Sequence, residues 1–365
     1  MMVVSKQYQI FFDFLRFCIG SESEIPSSLK EADWEELYAI AKKQCLVGVL
    51  FDGIKKLPAE QVGMKMGLLF QWIAKNRMLE KANVRLNDAA VKVSNWFQKK
   101  GFRTCILKGQ GNALMYPNPY SRIPGDIDIW VEGGDKRVIS FVRSISPHEK
   151  ACYHHIEFPS YKGVEVEVHY RPSFLLCFWH NRKLQKYYER VKEEQFSHRV
   201  MLGEQGEIAI PTAEFNLIFQ LTHIYAHLMN EGIGLRQLLD YYYVLISDDL
   251  LLIRDRVQKE LKELGLWKFA GGIMYIMQEV FGMPASRLIV PPNEKYGKFV
   301  LNEVLEAGNF GKHDERNRFG RSKLGHNLQR VYRDIRLVRY FPAEALCEPL
   351  FRVWHFFWRK SVSIR

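Results

Sequence analysis

Apolar and charged residues alternate along two stretches of the chain, residues 126–131 (DIDIWV) and 164–170 (VEVEVHY). Successive side chains of a β-strand point to opposite faces, so each stretch predicts a strand whose apolar face packs on a core. Residues 102–107 predict a third, short apolar strand. Residues 152–158 are expected to pair with 164–170 in a hairpin that turns through 160–163.

Apolar residues recur at helical spacing through most of the remaining chain. This periodicity predicts helices over residues 8–18, 31–45, 62–99, 136–146, 175–198, 213–229 and 235–246. We therefore expect an α+β protein with a small mixed-sheet core flanked by N-terminal and C-terminal helical regions. The predicted boundaries are 1–100 for the first helical region, 101–200 for the α/β core and 201–365 for the C-terminal helical domain.

The polar faces of the two alternating strands carry acidic side chains. Asp126 and Asp128 share one face of the first strand, and Glu165, Glu167 and His169 share one face of the second. Carboxylates crowded on one sheet face repel one another unless a positive charge lies among them. A pair of Mg²⁺ ions with oxygen ligands removes that repulsion, and such pairs serve phosphoryl and nucleotidyl transfer.

A two-metal site needs a third carboxylate from a neighbouring strand, besides two aspartates separated by one residue. Glu167 meets this requirement if the two strands are adjacent, and Glu165 is the alternative on the same face. Upstream, Lys108 and Gly109 form a turn that supplies a positive charge and a close backbone approach for phosphates. The alternative interpretation is a solvated sheet face with charges that point to water.

The composition is that of an ordinary globular protein, with 47% hydrophobic and 25% charged residues among 365. The net charge of +11 favours polyanionic partners such as nucleotides, RNA or an acidic protein. Six scattered cysteines without a C-x-x-C pair indicate reduced thiols and a cytoplasmic location. No apolar segment of about twenty residues predicts a transmembrane helix.

The residues between 107 and 171 resemble the polymerase-β-type nucleotidyltransferase core. The matching residues are Leu107-Lys108-Gly109, Tyr116-Pro117, Pro119, Arg122 and Asp126-Ile127-Asp128-Ile129. More narrowly, the chain is similar to a bacterial family of uncharacterised nucleotidyltransferases. That family has an L-K-G turn and a later acid-x-His-aromatic-Arg pattern, which Glu167 to Arg171 match here. The resemblance extends from about Trp34 to Phe351.

The resemblance implies a metal-dependent transfer of a nucleotidyl group from an NTP such as ATP to an acceptor hydroxyl. Asp126 and Asp128 would bind Mg²⁺ or Mn²⁺, Glu167 would be the third carboxylate, and the Lys108-Gly109 turn would lie against the triphosphate. The acceptor is a small molecule, a protein or an RNA end. Two departures from the family pattern are Lys108, where a small residue is usual, and the longer third acid, Glu167.

Two further residues are candidates for nucleotide binding. Arg122 precedes the acidic strand and either neutralises a phosphate or pairs with Asp126 or Asp128. His169 lies on the carboxylate face, where it orients Glu167, contacts substrate or forms a structural hydrogen bond.

Other histidines and arginines lie outside these motifs. One of His154 and His155 is expected to face the site, but no compact Cys/His spacing indicates a zinc centre. Arg236 and Asp240 are four residues apart on a predicted helix, which predicts an ion pair, with a contact to base or acceptor as the alternative. The arginine-rich run 316–339 is expected to form a solvated helix face or, alternatively, to follow an RNA backbone.

Two alternatives to the enzyme remain from the sequence. A catalytically inactive protein could sense nucleotide in the same cleft, or a basic module could bind RNA through the arginine-rich run.

Overall fold

The computed structural model describes residues 5–58, 60, 62–247, 250–314, 316 and 323–363. Helices surround a small mixed β-sheet, so the α+β class predicted from the sequence is confirmed. None of the helices in these ranges combines the length and the apolar composition that a membrane crossing needs.

Helices build the N-terminal part of the chain. They are α1 (Lys6–Ile19), α2 (Trp34–Lys43), α3 (Val47–Ile54) and the long α4 (Met66–Lys99). The Asp33 carboxylate caps α2 by accepting hydrogen bonds from the backbone N–H groups of Glu35 and Glu36. Such a cap satisfies donors that have no partner within the first helical turn. Asp33 therefore fixes the start of α2 later than the predicted residue 31.

A mixed sheet lies between the helical regions. Its strands are β1 (Thr104–Ile106), β2 (Ile127–Val131), β3 (His155–Tyr161) and β4 (Val164–His169), in the order β1-β2-β4-β3. Neighbouring strands are antiparallel except for β2 and β4, which are parallel. The predicted β3–β4 hairpin is confirmed, and it turns at Lys162 and Gly163, whose φ angles are 51° and 76°.

The connection between β2 and the hairpin explains the parallel pair. Helix α6 (Gly134–Ile145) follows β2, and β3 then begins at the end of the sheet where β2 finishes, because Trp130 and His155 both pair with His169. Strand β3 carries the chain to the opposite end, so β4 runs beside β2 in the same direction. The backbones of Asp128 and Glu167 become direct neighbours in this register.

The remaining elements are two further helices near the sheet, a separate hairpin and the C-terminal helices. The short helix α5 (Gln110–Ala113) follows β1, and α7 (Phe178–Ser197) follows the main sheet. A separate hairpin pairs β5 (Arg199–Met201) with β6 (Glu207–Ala209). The C-terminal helices are α8 (Ala213–Asn230), α9 (Leu235–Leu245), α10 (Leu250–Glu263), α11 (Trp267–Phe281), α12 (Glu294–Ala307), α13 (Lys323–Val338) and α14 (Pro342–Ser363).

The loop before β2 is held against α3 and α4. Asn83 on α4 donates hydrogen bonds to the backbone oxygens of Tyr120 and Arg122, at 3.0 and 2.9 Å. Gly48 on α3 lies so close to Ser121 that an added Cβ would collide with the Ser121 carbonyl oxygen. These contacts fix the segment that leads directly into the acidic strand.

Buried apolar side chains of the described residues form two clusters. The larger cluster joins α1, α2 and α3 to α8, α9 and α11, and it contains Phe11, Phe14 and Tyr241. The smaller cluster lies between the sheet, α4 and α6. The N-terminal and C-terminal helices therefore share one core, and the domain boundaries at residues 100 and 200 remain a prediction.

Candidate active site

Three carboxylates converge on one face of the sheet. The parallel register places Asp128 beside Glu167, and Asp126 lies directly before β2. One oxygen atom from each of these residues lies within 4.8 Å of the other two. Glu165 is exposed and belongs to none of the candidate metal-binding groups found in the described part of the chain. The structure therefore brings together Asp126, Asp128 and Glu167.

Asp128 is the most deeply buried member of the three, with a side chain only 3% exposed. Its Oδ1 lies 2.9 Å from both Lys108 Nζ and His169 Nε2. Burial alone would raise the pKa of this carboxyl, but the Lys108 charge and the His169 hydrogen bond hold its pKa well below the usual value. Asp128 is therefore a permanent negative charge at the centre of the cluster.

The negative charge of Asp128 makes the neighbouring Asp126 harder to ionise. The Asp128 charge, together with burial, raises the pKa of Asp126 to about 6. The negative charge of Asp128 and the loss of water around Asp126 both disfavour the ionised form of Asp126. A divalent cation with oxygen ligands would relieve this repulsion, so the three acids fit Mg²⁺ or Mn²⁺.

Glu167 lies closer to solvent than Asp128, with a side chain 33% exposed. Its Oε2 lies 3.3 Å from His155 Nδ1 and 3.4 Å from His169 Nε2. Burial is the largest influence on the pKa of this carboxyl and acts to raise it, but the contact with His169 and the nearby His155 together lower the pKa overall. His169 therefore contacts two of the three acids, as the sequence allowed.

The Lys108-Gly109 turn borders the carboxylates. Gly109 has φ 54° and ψ −107°, a conformation that glycine adopts far more readily than other residues. An added Cβ would lie 3.6 Å from the Asp126 carbonyl oxygen, so the turn is close to the first aspartate. Lys108 Nζ lies between Asp128 and His223, 3.2 Å from His223 Nε2.

A cavity of about 600 Å³ opens over the cluster. It runs from the carboxylates along α8 to the C-terminal helices α13 and α14. Residues that line it include Lys108, Asp126, Asp128, Glu167, His169, Arg122, His154, His155, His223, His227, Arg236, Asp240, Arg330, Arg352 and His355. Its size and its mixed lining are those of a site for a small molecule.

Arg122 does not pair with Asp126 or Asp128, which was one of its two predicted roles. Its guanidinium instead forms two 2.8 Å hydrogen bonds to the Asp240 carboxylate, and both side chains are buried. The Tyr116 hydroxyl donates a further hydrogen bond of 2.7 Å to Asp240 Oδ1. Residues 116, 122 and 240 thus form one buried polar unit, of which Arg122 and Asp240 line the cavity.

The predicted ion pair between Arg236 and Asp240 is wrong, because Asp240 pairs with Arg122. Helical spacing puts both on one face of α9, but the planar fork of Arg122 reaches Asp240 from another element and takes both oxygens. Arg236 donates only a long 3.5 Å hydrogen bond to the Ile123 carbonyl oxygen, and its buried Nε has no partner among the described residues. This unsatisfied guanidinium lines the cavity.

The arginine-rich run is less solvated than its composition suggested. Arg316 and Arg336 both pair with Glu303, and buried Arg333 donates to the backbone oxygens of Asn230 and Glu231. Arg330 and Arg339 are exposed, whereas Arg318 and Arg321 lie outside the described residues. The pairing could not be read from the sequence because Glu303 lies on a different helix.

Histidines around the carboxylates are a feature that the sequence indicated only in part. Both His154 and His155 line the cavity, together with His223 and His227 from α8. Burial lowers the pKa of His155 to about 4 and the pKa values of His154 and His223 well below normal. These three imidazoles are therefore neutral near pH 7.

Comparison with known proteins gave a family match. A family model described as an uncharacterised nucleotidyltransferase matches residues 30–282. No curated protein matches the chain. A solved structure of an antigenic nucleotidyltransferase-like protein from Paracoccidioides brasiliensis is similar over 49% of this chain and 90% of that chain, with 13% sequence identity and a TM-score of 0.28.

Proposed function

This chain belongs to the uncharacterised nucleotidyltransferase family, and from that premise we propose that it transfers a nucleoside monophosphate from an NTP to an acceptor hydroxyl. The observation that carries the proposal is the convergence of Asp126, Asp128 and Glu167 on one cavity. The resemblance to the polymerase-β-type core and the order of the motifs between residues 107 and 171 are consistent with it.

The three acids would hold Mg²⁺ or Mn²⁺. Their fit to such a cation follows from the oxygen-only donor set and from the repulsion that raises the Asp126 pKa. Bound divalent cations at this position would activate the attacking hydroxyl and neutralise charge on the triphosphate and leaving group. Both Lys108 and His169 contact Asp128 through Oδ1, which leaves Oδ2 as its ligand oxygen.

Cationic side chains at the cavity wall would bind the triphosphate. Lys108 presents its ammonium beside Asp128, at the edge where phosphates would meet the carboxylates. Arg236 adds a guanidinium whose Nε donor has no partner among the described residues. Arg122 also lines the cavity, but its two hydrogen bonds to Asp240 give it the role of supporting the wall.

In the proposed reaction the acceptor oxygen attacks the α-phosphorus of the NTP. A new P–O bond forms, the bond between the α-phosphorus and the bridging oxygen breaks, and pyrophosphate leaves with that oxygen. The acceptor proton goes to a carboxylate. Glu167 is well placed to take it, because its side chain is 33% exposed, whereas the side chain of Asp128 on the neighbouring strand is 3% exposed.

Glu167 and Glu165 provide a direct test of this assignment. Both are glutamates on the same strand, but only Glu167 belongs to the carboxylate cluster. We expect Glu167→Gln to lower the rate of pyrophosphate release at least ~10²-fold, because a metal ligand and proton acceptor is lost, whereas Glu165→Gln should change it less than ~2-fold. The assay uses purified protein, each NTP and either Mg²⁺ or Mn²⁺.

The acceptor is supplied from three classes: sugars, a hydroxyl-bearing protein and an oligoribonucleotide. A larger loss in Glu165→Gln than in Glu167→Gln would overturn the choice of third carboxylate. If the wild type binds metal–NTP but never releases pyrophosphate with any acceptor, the nucleotide-sensing alternative replaces the enzyme. The RNA-binding alternative predicts steeply salt-dependent RNA affinity, which falls when Arg330 and Arg339 are neutralised.

Arg236 is expected to act on nucleotide binding. The change Arg236→Gln should raise the KM for NTP ~10-fold or more with little change in kcat, because a charge-assisted contact to phosphate is lost from ground and transition states alike. Steady-state pyrophosphate release measures both constants. Arg256→Gln, at an exposed ion pair on α10, is the control. A fall in kcat with unchanged KM would contradict this role.

A further inference from the structure

A second group of possible metal ligands adjoins the acidic cluster. His155 lies opposite His169 in the antiparallel β3–β4 ladder, and Glu167 is two residues from His169 on the same face. Directly opposed side chains in such a ladder have Cβ atoms only about 5 Å apart. One nitrogen from each histidine and one Glu167 oxygen all lie within 4.8 Å of one another.

Two of the distances in this group match a metal site better than a hydrogen bond. Glu167 Oε2 lies 3.3 Å from His155 Nδ1 and 3.4 Å from His169 Nε2. Charge-assisted hydrogen bonds between such atoms are usually about 2.7–2.9 Å long. Ligands bound at about 2.0–2.1 Å in a tetrahedral arrangement are about 3.4 Å apart, which is the observed spacing.

The orientation of His169 supports the same conclusion. Its Nδ1 lies 3.3 Å from the Arg171 carbonyl oxygen, which can only accept a hydrogen bond, so Nδ1 is the donor. Its Nε2 is thereby directed into the cluster, 2.9 Å from Asp128 Oδ1 and 3.4 Å from Glu167 Oε2, and a bound ion would replace the hydrogen through which Nε2 contacts Asp128. Metal-binding histidines commonly donate one ring N–H to a backbone carbonyl in this way, which fixes the other nitrogen as the ligand.

His155 Nδ1 faces the Glu167 carboxylate. It lies 3.3 Å from Glu167 Oε2 and 3.1 Å from His154 Nε2. A neutral imidazole nitrogen carries either one hydrogen or one lone pair. When the hydrogen is on Nε2 of His155, the Nδ1 lone pair faces the carboxylate oxygen, and a cation bound by both would remove that repulsion.

We propose that His155, Glu167 and His169 form a binding position for a Zn²⁺-type transition ion beside the carboxylate cluster. Imidazole nitrogen ligands favour zinc and related ions, whereas Mg²⁺ prefers oxygen ligands. All three residues line the cavity, so the fourth coordination position is open to water or substrate. Glu167 belongs to both groups and makes the two positions neighbours.

Zinc binding at this position can be measured without nucleotidyl transfer, although Glu167 is shared with the carboxylate cluster. It also differs from the sequence-based expectation, which found no compact Cys/His spacing for zinc. The ligands come from two strands of a hairpin whose register places His155 against His169, although fourteen positions separate them along the chain. Register is set by strand pairing and cannot be read as a short motif.

The test measures metal binding by the full chain without nucleotide. The metal-free protein competes with a chromophoric chelator for Zn²⁺ alone, and His155→Ala is expected to weaken the Zn²⁺ affinity at least ~100-fold. Binding of Mg²⁺, followed by calorimetry, should be unaffected by the same change. Co²⁺ added to the wild type should give the visible absorption of tetrahedral coordination, and His155→Ala should lose it.

Cys152→Ser is the matched control, because Cys152 belongs to a different candidate group with His154 and His155. It should bind Zn²⁺ like the wild type. The proposal is overturned if His155→Ala, shown to be folded by circular dichroism, keeps wild-type Zn²⁺ affinity, or if Cys152→Ser loses it. If His155→Ala does not fold, His155→Gln replaces it with the same expected loss.

The result is separable from the proposed function. Zinc binding that depends on His155 supports the inference even if no acceptor ever yields pyrophosphate. Pyrophosphate release with unchanged Zn²⁺ affinity in the His155 variants would overturn the inference and leave the transferase intact.

Discussion

Pyrophosphate release is expected to fall at least ~10³-fold when Asp126 and Asp128 are both replaced by asparagine. The amides keep the shape of the carboxylates but remove the two charges that would hold divalent cations. Metal ions contribute several kcal/mol of transition-state stabilisation, and each ~1.4 kcal/mol is a tenfold change in rate. The measurement is transfer of label from α-labelled NTP to sugar, protein and oligoribonucleotide acceptors.

Asp88→Asn is the matched control for this double replacement. Asp88 lies on α4 in an exposed ion pair with Lys92, so its loss should leave the rate unchanged. Circular dichroism of the double variant checks the fold, since Lys108 and His169 lose their partner. Undiminished transfer in a folded Asp126→Asn, Asp128→Asn protein would show that the chemistry takes place elsewhere.

The largest effect on stability is expected at Asp240. Asp240→Ala should lower the free energy of unfolding by ~3–5 kcal/mol, because it leaves a buried guanidinium without its carboxylate. Arg122 and Asp240 are 3% and 5% exposed, so water cannot replace the lost contact. The Tyr116 hydroxyl also loses its acceptor. Urea unfolding followed by circular dichroism gives the difference from the wild type.

An exposed ion pair provides the comparison. Arg256 pairs with Glu214, and its side chain is 64% exposed, so Arg256→Ala should cost no more than ~1 kcal/mol. Equal losses in the two variants would contradict the role of burial. A loss in Asp240→Ala below ~1 kcal/mol would mean that another group compensates the buried Arg122 charge. The nearby Arg236 cannot do so, because it carries a like charge.

Local sequence patterns were sufficient to predict the two acidic strands and the carboxylates that they carry. Alternation in residues 126–131 and 164–170 predicted both strands, and it placed the carboxylates on one face of each. The reason is that strand periodicity and β propensity are properties of short segments. The order of motifs also indicated the family, which the match over residues 30–282 then established.

Contacts between distant residues were decided by the tertiary structure. Asp240 pairs with Arg122 and not with Arg236. The Arg122 guanidinium donates one hydrogen bond to each carboxylate oxygen, and such a bidentate pair is stronger than a single contact along one helix. Glu303 likewise forms ion pairs with Arg316 and Arg336, which belong to the arginine-rich run that was expected to face solvent.

The sequence by itself determined the α+β class, the two acidic strands and the side chains available for chemistry. Only the fold decided that Glu167, and not Glu165, meets the aspartates, and that His155 joins His169. Strand register and helix packing set these choices, and both depend on the total burial of apolar surface across the chain, which no local pattern contains.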